Sequence, residues 1–229
     1  MRPIVVIPAR GGSKRIPKKN ISMISGKPAI GLLISKLNST GLFDEIVVST
    51  DDTEIQKIAI DFGARVSIRK NSVLSDDLTP SEEVIRNYIF ENQPIDSLTP
   101  IFCIYPLALL IEKNQLSEAL KKLTMSPTQF VISAGILEIN PLRHSFKVVG
   151  PAIEILFPEN NLKRSQDLDT AYYDAGMFYL AHANTWVDAS KYWFNNNSQI
   201  VVIPPEDCID VDNPKDLEKL RKRYEEVHR

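Results

Sequence analysis

The chain has 229 residues, with 27 Lys and Arg against 29 Asp and Glu, a formal charge of −2 and an isoelectric point near 6.0. That length suits one large domain or two small ones with a sizeable core, and the near-neutral balance argues against a general nucleic-acid binder, which carries a broad basic excess. No apolar run approaches the roughly 20 residues that span a bilayer, the opening MRPIVVI lacks the long apolar core and cleavage site of a signal peptide, and Cys103 and Cys208 read as reduced buried thiols, so a cytoplasmic protein with no membrane partner is expected.

Residues 4–7 (IVVI) predict a buried strand, and 28–37 carry apolar residues at helical spacing. Strand 46–48, helix 54–62 and strand 65–68 follow, then helix 81–90, strand 100–105, helix 116–123 and an extended run at 130–132. Strands separated by helices of this length imply βαβ units and a mostly parallel sheet. The near-continuous Val and Ile content fits strands covered on both faces. After residue 137 the prolines 141, 151 and 158 interrupt the pattern, and an irregular antiparallel excursion is expected over about 137–168. Regular structure returns at 177–180 and 200–203, and a charged amphipathic helix closes the chain at 214–227. With no repeat, low-complexity segment or linker, residues 1–229 read as a single α/β domain.

The loop after the first strand, IPARGGSKRIPKKN, sets Gly11 and Gly12 among five cations, Arg10, Lys14, Arg15, Lys18 and Lys19. It lies at the carboxyl end of a parallel strand, where open α/β sheets bind ligands. Paired glycines let backbone N–H groups approach an anion closely. A solvated basic turn is the plain alternative, but this density of charge favours a phosphate ligand. The loop has neither the GxxxxGK[ST] nor the GxGxxG pattern, and a nucleoside triphosphate is the expected ligand. Triphosphates usually travel with a divalent metal, and hard cations take oxygen ligands. Asp210 and Asp212, in IDVDNP, are spaced so that extended backbone puts both carboxylates on one side. They are the expected Mg²⁺ ligands, against the alternative of a helix cap and an exposed turn. Asp51 and Asp52 form a rival pair, read mainly as a helix cap. His144, His182 and His228 show no metal spacing.

The opening loop, the VSTDD turn at 48–52 and the terminal IDVDNP, in that order over essentially the whole chain, resemble the CMP-sialic acid synthetases and their bacterial relatives. These enzymes activate nine-carbon acidic sugars with CTP. The blocks FPENN (157–161), KRSQDL (163–168) and AYYDAG (171–176) resemble the pseudaminic acid cytidylyltransferase branch in particular. The resemblance implies a Rossmann-like three-layer α/β/α nucleotidyltransferase fold, with a mostly parallel sheet and a small antiparallel excursion. It implies a CMP-sugar and pyrophosphate as products, the former serving bacterial surface glycans or flagellin glycosylation. Arg10 and Lys19 would contact the triphosphate and carry catalysis, with Asn20 beside them and Gly11, Gly12 and Ser13 as the cradle. Arg69, Asp77 and Thr79 would lie at the cytidine, and Tyr105, Arg164, Gln166 and Asp174 at the sugar. Asp210 and Asp212 would hold the metal. A homodimer is implied, its irregular segment reaching toward the partner's site.

The chain departs from the branch at Tyr105-Pro-Leu-Ala-Leu109, where YPTAP is common, and at Met177, where Gln commonly follows DAG. Leu107, Leu109 and Met177 would make the sugar pocket less polar. Synthesis of CMP-N-acetylneuraminic or CMP-legionaminic acid is the alternative within the family. Outside it stand a GT-A-type glycosyltransferase, which normally carries DxD near mid-chain, and a non-catalytic nucleotide-binding protein.

Overall fold

The computed structural model describes residues 2–69, 79–125, 130–138 and 141–229. In chain order the elements are β1 (Ile4–Pro8), β2 (Met23–Ile24), β3 (Lys27–Pro28), α1 (Ala29–Thr40), β4 (Glu45–Thr50), α2 (Thr53–Asp61), β5 (Arg65–Ile68), α3 (Ser81–Glu91) and β6 (Pro100–Ile104). They continue as α4 (Lys113–Met125), β7 (Val131–Ile136), β8 (Phe146–Val149), β9 (Ala152–Ile155), β10 (Tyr172–His182), α5 (Ala183–Val187), β11 (Gln199–Val202) and α6 (Pro214–Val227).

Among the described residues, seven strands form one sheet in the order β11-β7-β10-β6-β1-β4-β5. The pairings of β1 with β4 and β6, of β4 with β5, and of β7 with β11 are parallel. Within this sheet β10 runs the other way, antiparallel to both β6 and β7. The central strands β1 and β6 are almost wholly apolar because both of their faces are covered. Val5 and Ile7 of β1 point into a core built with α1, α2, α4 and α6, whereas Val6 points into a second core with α3 and α5. The result is the expected three-layer α/β/α arrangement.

Helix α2 starts where Asp52 Oδ1 accepts from the amides of Glu54 (2.8 Å) and Ile55 (2.9 Å), so this residue acts as the expected cap. Helix α6 starts with a reciprocal capping box between Asn213 and Asp216. Three features differ from the sequence expectation. The run predicted at 177–180 belongs to the eleven-residue strand β10, which contains the Asp174-Ala-Gly176 block. The short helix α5 was hidden by its length, and it seats Trp186, whose Nε1 donates to the Ile101 carbonyl at 2.9 Å. Strands β2 and β3 form a hairpin through Ser25 and Gly26, both at positive φ, the geometry that a two-residue turn needs.

The excursion is present. It leaves the sheet after β7 and returns at β10, and its neck is closed by Leu137 N–H donating to the Ala171 carbonyl at 3.0 Å. Its hairpin β8–β9 is antiparallel, and every residue of both strands is exposed. No helix among the described residues is long and apolar enough to cross a membrane.

Candidate active site

A cleft of about 590 Å³ opens along the edge of the sheet where β1, β5 and β6 end. Its wall takes Arg10, Ser13, Lys14, Arg15, Lys19 and Asn20 from the opening loop, and Arg69 from the end of β5. Thr79 and Ser81 come from the start of α3, Tyr105 to Ala108 from the turn after β6, Gly176 and Met177 from β10, and Asp210 and Asp212 from the segment before α6. Residues far apart in sequence therefore meet because each follows, or interrupts, a strand at the same edge.

The loop is held from behind. Gly11 N–H donates to Asp51 Oδ1 at 3.0 Å. A Cβ at Gly11 would stand 2.6 Å from Asp52 Oδ2 and 2.8 Å from Asp52 Cβ, so only glycine fits beside the α2 cap. The buried Asn20 donates through Nδ2 to the Arg10 carbonyl at 2.9 Å and fixes the spacing of Arg10 and Lys19. Lys18 faces away and pairs with Glu54. Gly11 thus shapes the turn, while the wall itself is formed by Arg10, Ser13, Lys14, Arg15, Lys19 and Asn20.

The cations face acids. Arg15 pairs with Asp212 at 2.8 Å, and Lys19 Nζ donates to the Val211 carbonyl at 2.6 Å. Burial lowers the Lys19 pKa, an effect that Asp210 and Asp212 partly offset. Burial raises the Asp210 pKa, and Asp212 raises it further, with Lys19 opposing both. Asp210 and Asp212 line the cleft together, as their spacing predicted. Among the described residues there is no group of three or more His, Cys, Asp or Glu arranged to hold a metal.

Arg69 is buried and donates to Ser49 twice, from Nε to Oγ (3.1 Å) and from a terminal nitrogen to the carbonyl oxygen (3.0 Å). Burial pulls its pKa down to about 10, which leaves it charged at neutral pH. Thr79 lines the same cleft, whereas Asp77 lies outside the described residues. Tyr105 shares a hydrogen bond of 2.9 Å with Ser81 Oγ, donates its N–H to the Met177 carbonyl at 3.0 Å, and sets its ring edge-on to Tyr179. Burial pushes its phenol well up.

Three of the sequence-predicted sugar residues are not in this wall. Arg164 and Gln166 lie on an exposed turn of the excursion, where Arg164 pairs with Asp167 at 2.8 Å. Asp174 uses Oδ1 to accept from Gly176 N–H (2.9 Å) and Oδ2 to accept from Tyr179 O–H (2.8 Å), so its carboxylate serves its own strand. Leu107 and Met177 do line the cleft, but Leu109 belongs to the core. Ser81 and Ser133 escaped the sequence reading. The signal for Ser133 was a polar residue inside the apolar run VISAGI.

The cytidylyltransferase family profile matches residues 4–220. The chain is similar to a pseudaminic acid cytidylyltransferase of Campylobacter jejuni, 36% identical across 100% of this chain and 98% of that protein. It is also similar to a CMP-N,N'-diacetyllegionaminic acid synthase of Legionella pneumophila, 26% identical over 99% of each. Among solved structures, a CMP:2-keto-3-deoxy-manno-octonic acid synthetase complexed with CTP superposes with a TM-score of 0.73 at 17% identity, covering 99% of this chain and 100% of that one. That likeness is one of fold. By the reach of the family profile and by full-length identity to a relative within it, the chain belongs to the cytidylyltransferase family.

Proposed function

We propose that the protein transfers the CMP group of CTP to pseudaminic acid or a close relative, releasing pyrophosphate. The observation that carries this reading is the meeting, in one cleft, of the cationic loop and the Asp210–Asp212 pair beside the turn at Tyr105. The identity to the Campylobacter protein, whose name specifies this sugar, supports the choice of substrate.

The anomeric hydroxyl of the sugar attacks the α-phosphorus, and pyrophosphate leaves. Such displacements need alignment and charge stabilisation more than covalent help from the protein. Arg10 and Lys19, fixed relative to each other by Asn20, are placed to neutralise the leaving pyrophosphate. The buried Arg69, with Thr79, closes the part of the cleft assigned to cytidine. Tyr105, Leu107 and Met177 form the wall assigned to the sugar. Asp210 with Asp212 offers two hard oxygen donors, while the nearby Asp216 carboxylate is engaged by the Asp212 and Asn213 amides. That donor set fits Mg²⁺, which keeps several waters and binds through one or two carboxylates plus substrate phosphates. A bound Mg²⁺ would supply positive charge to the phosphates. Arg15, now paired with Asp212, would then be free to turn toward the triphosphate.

The same reading includes a homodimer. The hairpin β8–β9 exposes Phe146, Val148, Val149, Ile153 and Ile155, and an apolar patch of this kind marks an interface. Arg164 and Gln166 lie on the same excursion, outside the cleft of their own subunit. In a dimer formed through the hairpin they would serve the partner's cleft. Dependence on CTP fits an enzyme of the cytoplasm, where that nucleotide is held.

The test is incubation with CTP, Mg²⁺ and a panel of nine-carbon acidic sugars, with CMP-sugar and pyrophosphate as the readout. Competition between sugars then ranks them. A higher kcat/KM for N-acetylneuraminic acid than for pseudaminic acid would remove the sugar assignment and leave cytidylyl transfer standing. Absence of CMP-sugar with every member of the panel would remove both.

A further inference from the structure

Strand β10 does not run straight past β7. Asp174 pairs with Ala134 and Tyr179 with Ile132. Between these two pairs β10 has four residues, 175–178, while β7 has one, Ser133. This is a large bulge, and bulges re-aim side chains at the cost of ladder hydrogen bonds. Here the re-aimed residues are Gly176 and Met177, which enter the cleft wall. Gly176 sits at φ 61°, a conformation open to glycine.

A bulge buried inside a sheet must pair its amides some other way. Ser133 is fully buried, and its Oγ accepts from both Met177 N–H and Phe178 N–H, each at 3.1 Å. A hydroxyl oxygen has two lone pairs, and both are used. Asp174 takes the Gly176 amide. On the far side the Met177 carbonyl accepts the N–H of Tyr105, so the position of the bulge also sets that of Tyr105.

We infer that Ser133 is a positioning residue for the sugar end of the cleft. It touches no substrate. It holds Gly176, Met177 and, through the Met177 carbonyl, Tyr105 in the geometry that grips the sugar. This rests on the proposed function to the extent that the sugar is assigned to Tyr105 and Met177. Loss of the hydroxyl would leave two buried donors unpaired and let the four-residue segment shift. The opening loop, which serves the triphosphate, is held by Asp51 and Asn20 and not by this bulge. The effect should therefore divide between the two substrates.

The experiment is Ser133→Ala in the full chain, with KM measured separately for sugar and CTP and with amide exchange followed at Met177 and Phe178. Expected are a sugar KM raised roughly tenfold, as two donors lose their partner, a CTP KM changed by less than about twofold, and faster exchange of both amides. A folded variant in which the two KM values move together, or neither moves, overturns the inference. Should Ser133→Ala fail to fold, Ser133→Cys fills the site with a somewhat larger, weaker acceptor, and the same division between substrates is required of it. If the wild-type enzyme makes no CMP-sugar, the proposed function fails separately. Unchanged exchange at Met177 and Phe178 in Ser133→Ala would then still overturn the role given to Ser133.

Discussion

The side chain of Lys19 donates to the carbonyl oxygen of Val211 at 2.6 Å, joining the first loop of the chain to the segment before its last helix. The bond sets one cation between two carboxylates, Asp210 and Asp212, that both act on its charge. It also shows why these distant motifs belong to one site: a cation of the first loop is bonded to the backbone between the two acids.

Removal of that cation should therefore act on chemistry more than on folding. Lys19→Ala and Arg10→Ala are each expected to lower kcat by about 10²–10³, the scale of losing one preorganised charge-stabilising group. Partly exposed loop charges contribute little to stability, so thermal midpoints should move only slightly. Near-native turnover in both variants would take the leaving-group role away from the loop.

The carboxylates should control the need for metal. Asp210→Asn or Asp212→Asn replaces an anionic oxygen donor with a neutral amide, a poorer ligand for a hard cation. Titration of activity against Mg²⁺ should show a higher half-saturating concentration and a lower plateau in each. Unchanged titration curves would move the metal elsewhere in the cleft.

Gly11 offers a steric test. The Cβ of Gly11→Ala would press on Asp52 at 2.6 Å, and either the loop or the α2 cap must yield. Loss of a cap costs about 1 kcal/mol. A lower melting temperature with a raised KM for CTP is expected, and an unaffected variant would show that the loop has room the structure does not give it. Gly12→Ala meets nothing within 4 Å and should be mild.

Glu82 carries a pH signature. It is buried on α3, its Oε2 has no hydrogen-bond partner among the described residues, and burial is the main cause of its raised pKa. Its neighbours Arg86 and Glu83 act in opposite directions and more weakly than burial. An acid whose folded pKa exceeds its unfolded value binds more protons folded than unfolded. Stability then falls as pH rises from the usual glutamate value, about 4.3, through the raised one. Glu82→Gln removes that penalty. The gap in unfolding midpoint between parent and variant should be smallest at about the usual glutamate pKa and should widen in favour of the variant toward neutral pH. A constant gap across this range would contradict the linkage.

The hairpin tests assembly. Val148→Asp with Ile153→Asp puts charge on two of its exposed apolar positions. Light scattering should report a dimer for the parent and a monomer for the variant, with loss of sugar turnover because Arg164 no longer reaches a neighbouring cleft. A monomeric parent would remove the dimer from the proposal.

Much of this was legible in the sequence where periodicity or charge density was strong. The runs at 4–7, 46–48 and 100–105 read as strands because both faces of the sheet are covered, and the loop at 10–19 stood out by its charge. That Asp210 and Asp212, which both line the cleft, belong with the loop was legible from their spacing only together with the triphosphate that the loop implied. The bulge in β10 was not, because 171–180 carries no alternation that marks where four residues oppose one. Asp174 was placed at the sugar by resemblance, and nothing local in the sequence reveals that its two oxygens each accept a bond from within β10. Arg164 and Gln166 were placed by resemblance, and a single subunit sets them on its outside.

Because β10 runs against its neighbours, it begins at the same edge of the sheet at which β7 ends. The chain can therefore leave at Leu137 and return at Ala171 through a neck one hydrogen bond wide, without crossing a face of the sheet. The stretch between should therefore act as an interchangeable insert, able to lengthen, shorten or be replaced while the strands of the large sheet keep their register. Grafting the corresponding stretch from a relative with another sugar preference should thus be tolerated by the rest of the molecule, and it offers a route to exchange what the enzyme accepts while the nucleotide end stays as it is.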